Sequence, residues 1–219
     1  MATRQLLADL VAEYLRATGQ CISTESVGGV DAARRVQAGE AFDGVVLASN
    51  AIEQLIASGH LKAGSRVDLA RSGVAIAVRA GAPRPDISTE DAVRQAVVAA
   101  RSLSYSTGPS GVHLARLFER WGVADVIRGR VVQAPPGVPV GTLVAGGEVE
   151  LGFQQLSELM NLAGIDVLGP LPPAIQIITT FSAGVAAAST QPDAVRALLA
   201  FMASPAAQAA KRRNGMEAA

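Results

Sequence analysis

Apolar residues along the chain follow two rhythms. Leu6, Leu7, Leu10, Val11, Tyr14 and Leu15 recur at three- and four-residue spacing, the signature of a helix with one buried face. Gly19 stands where such a helix would close, so a helix over residues 3–18 is predicted. Short continuous apolar runs read instead as buried strands. These are Val45-Val46-Leu47-Ala48, residues 74–80, Leu103-Ser104-Tyr105-Ser106, Val131-Val132-Gln133, residues 149–153 and residues 165–168. Residues 21–25 read as a further strand, with Cys21 a buried structural thiol. Helical stretches fall between them, over residues 30–38, 51–58, 92–100, 112–121, 140–145, 194–203 and 206–213. Ser88-Thr89-Glu90-Asp91 resembles a capping box before one of them. Pro135-Pro136-Gly137 reads as a turn, and residues 175–188 as a broken extended segment. Alternation of helices with strands that are apolar throughout predicts an α/β fold with mainly parallel sheets flanked by helices. No repeat and no low-complexity tether divides the chain, so two domains would have to share strands.

Composition narrows the classes. Apolar residues make up 49% of 219 and aromatics only 4%, so the core is built from Ala, Val, Leu and Ile. Nineteen basic residues balance nineteen acidic ones, and this lack of basic excess argues against nucleic acid as a partner. One cysteine excludes a disulfide scaffold. Mean hydropathy is positive at +0.30. Even so, the longest apolar stretch, residues 175–188, is broken by Gln176, Thr179, Thr180 and Ser182. A spanning helix needs about 20 predominantly apolar residues, so no membrane insertion is expected. No basic and then apolar leader opens the chain, which suits either a cytoplasmic protein or one lacking its export segment. There is no P-loop, G-x-G-x-x-G, H-E-x-x-H or C-x-x-C, and His60 and His113 are the only histidines. No metal and no cofactor are expected.

The strongest local chemistry is Ser106-Thr107-Gly108-Pro109-Ser110-Gly111, after a strand and before a helix. Hydroxyls and unpaired N–H groups at a helix start make either a ready anion site or an ordinary N-cap turn. Ser26-Val27-Gly28-Gly29 has the same character. Arg71-Ser72 precedes a strand and could clamp a carboxylate or simply lie on the surface. Gln154 ends an apolar strand, where α/β proteins hold ligands, and could alternatively cap the sheet edge. Arg34-Arg35 and Lys211-Arg212-Arg213 read as solvated faces. Ser110 and His113 lie three residues apart on one predicted helix, a poor arrangement for a hydrolase triad.

Several segments together resemble one family. They are Phe42-Asp43-Gly44-Val45-Val46-Leu47-Ala48, Ala57-Ser58-Gly59-His60-Leu61, the run Gly64-Ser65-Arg66-Val67-Asp68-Leu69-Ala70-Arg71-Ser72-Gly73-Val74, and Tyr105 with the turn after it. Gly147-Glu148-Val149-Glu150-Leu151-Gly152-Phe153-Gln154-Gln155 and Phe201-Met202-Ala203-Ser204-Pro205-Ala206-Ala207 complete the set. In this order they resemble the ModA-like periplasmic substrate-binding proteins of ABC transporters. The resemblance implies a type II two-lobe fold with the ligand between the lobes. Lobe one would be residues 1–72 plus 180–219, lobe two residues 73–179, with hinges near 71–74 and 179–182. It also implies a periplasmic solute-binding protein that takes a small anion and docks an ABC permease. Ser26, Gly28, Gly29, Arg71, Ser72, Ser106, Thr107, Ser110, Gly111 and Gln154 would line the ligand site. Family members begin with a strand and a serine loop that the chain, starting at the following helix, does not show. The sheet edge left open in lobe one would be covered in a homodimer. Family molybdate binders carry a ligand tyrosine where Phe153-Gln154-Gln155 stands, which favours a small organic acid over molybdate.

Two other classes remain open. A cytoplasmic effector-sensing domain, like the two-lobe domains of LysR-type regulators, would suit a chain without a leader. An isomerase of a small acid or ketone would need a positioned acid or base. Glu25, Asp43, Glu158 and Tyr105 are the candidates, and none forms a pair recognisable from sequence.

Overall fold

In a computed structural model, which describes every residue except Pro136, the first helix forms where its period places it. It is α1 (Arg4–Thr18), it buries Leu6, Leu10 and Tyr14, and Gly19 closes it at φ 73°. That left-handed conformation strains any residue with a Cβ but not glycine. The chain continues through α2 (Gly29–Gln37), β1 (Gly44–Ala48), α3 (Ser49–Ala57), β2 (Val67–Arg79), α4 (Glu90–Ala99), β3 (Leu103–Tyr105), α5 (Pro109–Arg120) and α6 (Ala124–Ile127). Then come α7 (Val140–Gly146), β4 (Leu151–Gln155), α8 (Leu156–Leu159), β5 (Ile165–Pro170), β6 (Ile178–Val185), α9 (Pro192–Ala203), α10 (Gln208–Arg213) and β7 (Glu217–Ala218). Thr89 caps α4, its hydroxyl accepting from Ala92 N–H at 3.1 Å.

Two compact units result: Met1–Ser72 with Thr179–Ala219, and Gly73–Ile178. Both β2 and β6 run across a boundary between them. In the first unit β1 lies antiparallel to β6, from Gly44↔Val185 to Ala48↔Phe181. β7 adds to β2 through Ala70↔Ala218 and Arg71↔Glu217. Leu6, Leu10, Tyr14, Leu69, Val185 and Met202 form its main core. A satellite cluster around Leu47, Ile52 and Leu55 holds α2 and α3 against β1. Asp68 accepts from Ser182 Oγ at 2.6 Å and from Arg66 Nε at 2.8 Å.

In the second unit β4 pairs antiparallel with β2 on one side and parallel with β3 on the other, and β5 also pairs antiparallel with β2. Val74, Ile76, Leu103 and Phe153 meet Val93 and Val97 of α4 and Phe118 of α5. Ala75, Ala77 and Leu159 pack on the opposite face. A Cβ on Gly152 would lie 2.5 Å from Val144 Cγ2, so the missing side chain is what lets α7 settle on β4. Trp121, at the end of α5, packs 5.9 Å from the Phe118 ring and donates its indole N–H to Glu90 at 2.7 Å.

Four expectations are corrected. The sheets are mixed rather than mainly parallel, with β3–β4 the parallel pairing among the described strand registers. Continuous apolarity reports cover on both faces, and strand direction leaves no mark in it. Residues 21–25 form no strand, and Cys21 is exposed. Residues 131–133 contribute only an isolated bridge, Leu103↔Val131. Lys211 is not on a solvated face: its side chain is 1% exposed because α10 packs that position inward. The turn expected at 135–137 includes Pro136, outside the described residues.

Candidate functional site

The predicted turn between β3 and α5 is built by one close approach. A Cβ on Gly111 would sit 1.6 Å from the Ser106 carbonyl oxygen and 2.7 Å from its carbon. Only glycine lets the loop fold back this tightly over the first turn of the helix. The fold-back brings Ser106 Oγ to 3.1 Å from Ser110 Oγ. That bond uses one hydroxyl proton of the pair and leaves the other to point elsewhere. Pro109 at the helix start has no N–H, and the N–H groups of Gly111 and Val112 both reach the Gly108 carbonyl, at 3.0 and 3.2 Å. The turn thus offers hydroxyl donors at the positive end of a twelve-residue helix, the ordinary composition of an anion cradle. Thr107 beside them is exposed.

Strand register brings Gln154 to the same edge. Tyr105 stands opposite Phe153 in the parallel pair, and Ser106 and Gln154 are the residues that follow them in the two chain segments. Both lie at the carboxyl end of parallel strands, where ligands are held in open α/β sheets. The Gln154 side chain is 4% exposed, and both its ends are engaged. Its Oε1 accepts from Gly141 N–H at 3.2 Å in the first turn of α7, and its Nε2 donates to Glu158 Oε2 at 2.8 Å. Gln155, equally buried, shares the other sheet face with Phe153.

Residues predicted from the first unit are placed differently. Ser26 is exposed, Gly28 is the N-cap of α2, and Gly29 is its first residue. Arg71 donates through Nε and Nη2 to the Ala218 carbonyl, at 3.1 and 3.0 Å, so it fastens β7. Ser72 is 2% exposed, and its hydroxyl has no hydrogen-bond partner among the described residues.

The four acid–base candidates separate clearly. Arg35 holds Glu25 through bonds of 2.6 and 3.0 Å, and that contact lowers the carboxyl's pKa. Asp43 accepts from Ser189 Oγ at 2.7 Å. Burial raises the Tyr105 phenol, whose ring packs on Phe118. Glu158 is the carboxyl that burial pushes upward. It stands in α8, directly after β4. Its pairing with Gln154 is the feature that sequence reading missed. The i, i+4 spacing was visible, but it falls across a strand–helix junction, where spacing alone predicts no contact.

Among the described residues no group of three or more His, Cys, Asp and Glu could hold a metal ion. None of the described helices is long and apolar enough to cross a membrane. A cleft of about 350 Å³ between α5 and residues 174–177 is lined by His113, Arg116, Arg120 and Gln176, and by none of the predicted site residues.

Strands shared by two α/β units, with a hydroxyl-lined turn at a strand's carboxyl end, define a type II solute-binding fold. Solved structures agree. The chain matches a periplasmic molybdate-binding protein of Azotobacter vinelandii with a TM-score of 0.80 at 20% identity, covering 98% of this chain and 95% of that one. It matches the substrate-binding domain of a putative molybdenum ABC transporter protein from Clostridium difficile at TM-score 0.76 and 16% identity, over 100% and 95% of the two chains. A family model described as bacterial extracellular solute-binding protein covers residues 1–217. The chain belongs to that family. A curated relative from a Pseudomonas species, named aconitate isomerase, is 39% identical over 96% of this chain and 82% of its own length.

Proposed function

We propose that this protein binds a small polycarboxylic acid of aconitate's class, through the hydroxyl turn Ser106–Ser110 seated on Gly111. One observation carries the choice of ligand: the 39% identical relative is named for aconitate, whereas the molybdate binders share 20% identity or less. The turn suits such a ligand. Its donors recognise carboxylate oxygens as readily as an oxyanion, and in a chain of zero net charge they act locally rather than through a bulk field. In this reading the protein works outside the cytoplasm and delivers its ligand to an ABC permease. Ser26, Gly28, Gly29 and Ser72 remain proposed contributors from the first unit. Calorimetric titration with trans-aconitate, cis-aconitate, citrate and molybdate tests the reading. Binding of the carboxylates with Kd in the micromolar range or tighter, weakened by Ser110→Ala, is expected. Binding of molybdate alone refutes it.

A second reading has its own support. The relative's name is that of an isomerase. The second unit also holds one carboxyl at the carboxyl edge of β4 that burial keeps easier to protonate than usual, Glu158. In this reading the protein interconverts the isomers of the acid it binds. Incubation with pure trans-aconitate, followed by chromatography of the two isomers, separates it from simple binding.

A further inference from the structure

We propose that Glu158 is the proton-carrying residue of an allylic isomerisation, with Gln154 fixing which carboxyl oxygen takes the proton. The proposal rests on the isomerase reading above and goes beyond it by assigning the group and the atom.

A chain of two hydrogen bonds carries the assignment. Gly141 N–H is a first-turn donor of α7, and it can be satisfied only by an acceptor; it finds Gln154 Oε1 at 3.2 Å. This contact fixes the orientation of the amide, because the flipped amide would face N–H with NH₂. Nε2 is therefore always the end that faces Glu158, at 2.8 Å from Oε2. An NH₂ group donates, and in a protonated carboxyl the carbonyl oxygen is the better acceptor, so Oε2 keeps the carbonyl role. A proton taken up by Glu158 then sits on Oε1, an oxygen to which no hydrogen bond runs from any described residue. The carboxyl is thus steadied through one oxygen and left open through the other, as a group that takes and returns a proton requires. Burial supports the role by making the protonated form more accessible than for a solvated glutamate. The adjoining Ser157 hydroxyl is buried and also without a partner among the described residues.

The chemistry balances on one carboxylate. Aconitate is a propene bearing three carboxyl groups. Oε1 removes a proton from the methylene carbon, and the freed C–H electron pair forms a double bond to the central carbon. The former double-bond pair moves to the outer alkene carbon, which takes the proton back from Oε1. The double bond has moved by one position, its geometry can be reset, and Glu158 ends as a carboxylate. No oxidant, metal or second substrate enters.

The test follows wild-type protein and Glu158→Gln with trans-aconitate in deuterated water by proton NMR, alongside calorimetric titration of the same acid. Wild type is expected to interconvert the isomers, with deuterium on the receiving carbon in those turnovers where the Oε1 proton exchanges with solvent before its return. Glu158→Gln is expected to bind within about threefold of wild type while isomerising at least roughly 100-fold more slowly, the scale of a lost acid–base group. Isomerisation by Glu158→Gln at the wild-type rate overturns the assignment and leaves the isomerase reading standing. Wild type that binds without isomerising overturns that reading, and the assignment with it. If Glu158→Gln does not fold, Glu158→Asp replaces it. Turnover lowered about tenfold at unchanged affinity supports the role. Wild-type turnover, or affinity falling in step with rate, overturns it.

Discussion

Gly111→Ala concentrates the structural claims into one atom. The new Cβ would fall 1.6 Å from the Ser106 carbonyl oxygen, where ordinary contact begins at 3.4 Å. The loop carbonyl or the helix start must therefore move by about 1.8 Å. Neither is a flexible side chain that can rotate away, so the cost belongs at the top of the usual overpacking range, about 3 kcal/mol. The same movement separates Ser106 Oγ from Ser110 Oγ, now 3.1 Å apart, and misplaces both relative to a bound carboxylate. Losing two hydrogen bonds to a charged group, at about 1.5 kcal/mol each, predicts a Kd weakened roughly 100-fold. Urea unfolding reads the first quantity and calorimetry with trans-aconitate the second. Gly129→Ala is the control, since nothing lies within 4 Å of its Cβ position; it should change stability by less than about 0.5 kcal/mol. A Gly111→Ala protein with the wild-type urea midpoint and affinity would refute both the packing of the turn and its role.

Three further outcomes follow from other sites. Gln154→Leu leaves Gly141 N–H and Glu158 Oε2 without their partner and should cost about 2–3 kcal/mol in urea unfolding. Lys211 is 1% exposed and burial lowers its ammonium pKa, so folding opposes its charged form. Lys211→Met should therefore be more stable by about 1 kcal/mol at neutral pH, and should lose the gain in stability that wild type shows as pH rises toward the lysine range. The Arg66 hydrogen bond, joined by that of Ser182, lowers Asp68 below its usual 3.8. Its contribution is complete above the unfolded value and disappears as pH falls through the lower folded one. Thermal melts of Asp68→Asn should accordingly fall less steeply than wild type on acidification.

Much of this architecture is legible in the sequence because its local signals agree with the fold. The period of α1, the glycine that ends it and the Thr89 cap each form as their chemistry requires. The Ser106–Gly111 turn is legible for the same reason, since proline and glycine are needed at those positions whatever surrounds them. What stays hidden depends on partners distant in sequence. The direction of β2 against β4 leaves no trace in residues buried on both faces. Arg71 reads equally as a carboxylate clamp or a surface side chain, and its bond to the Ala218 carbonyl, 147 residues away, leaves no mark in the sequence. The inward turn of Lys211 follows from how α10 packs, not from the basic triplet itself. Glu158 is one of four acid–base candidates in the sequence, with nothing to set it apart until β4 delivers Gln154 to it.

The indole of Trp121 gives the chain a built-in optical label. It is the single tryptophan in the sequence and belongs wholly to Gly73–Ile178, tied to Glu90 and stacked toward Phe118. Phe118 in turn touches Tyr105, the residue before the Ser106 turn. Tryptophan-selective fluorescence therefore watches one unit, while circular dichroism averages over both. Melting curves that coincide by the two methods would mean that the units unfold as one cooperative body. Curves that separate would time the loss of each unit without a label being added.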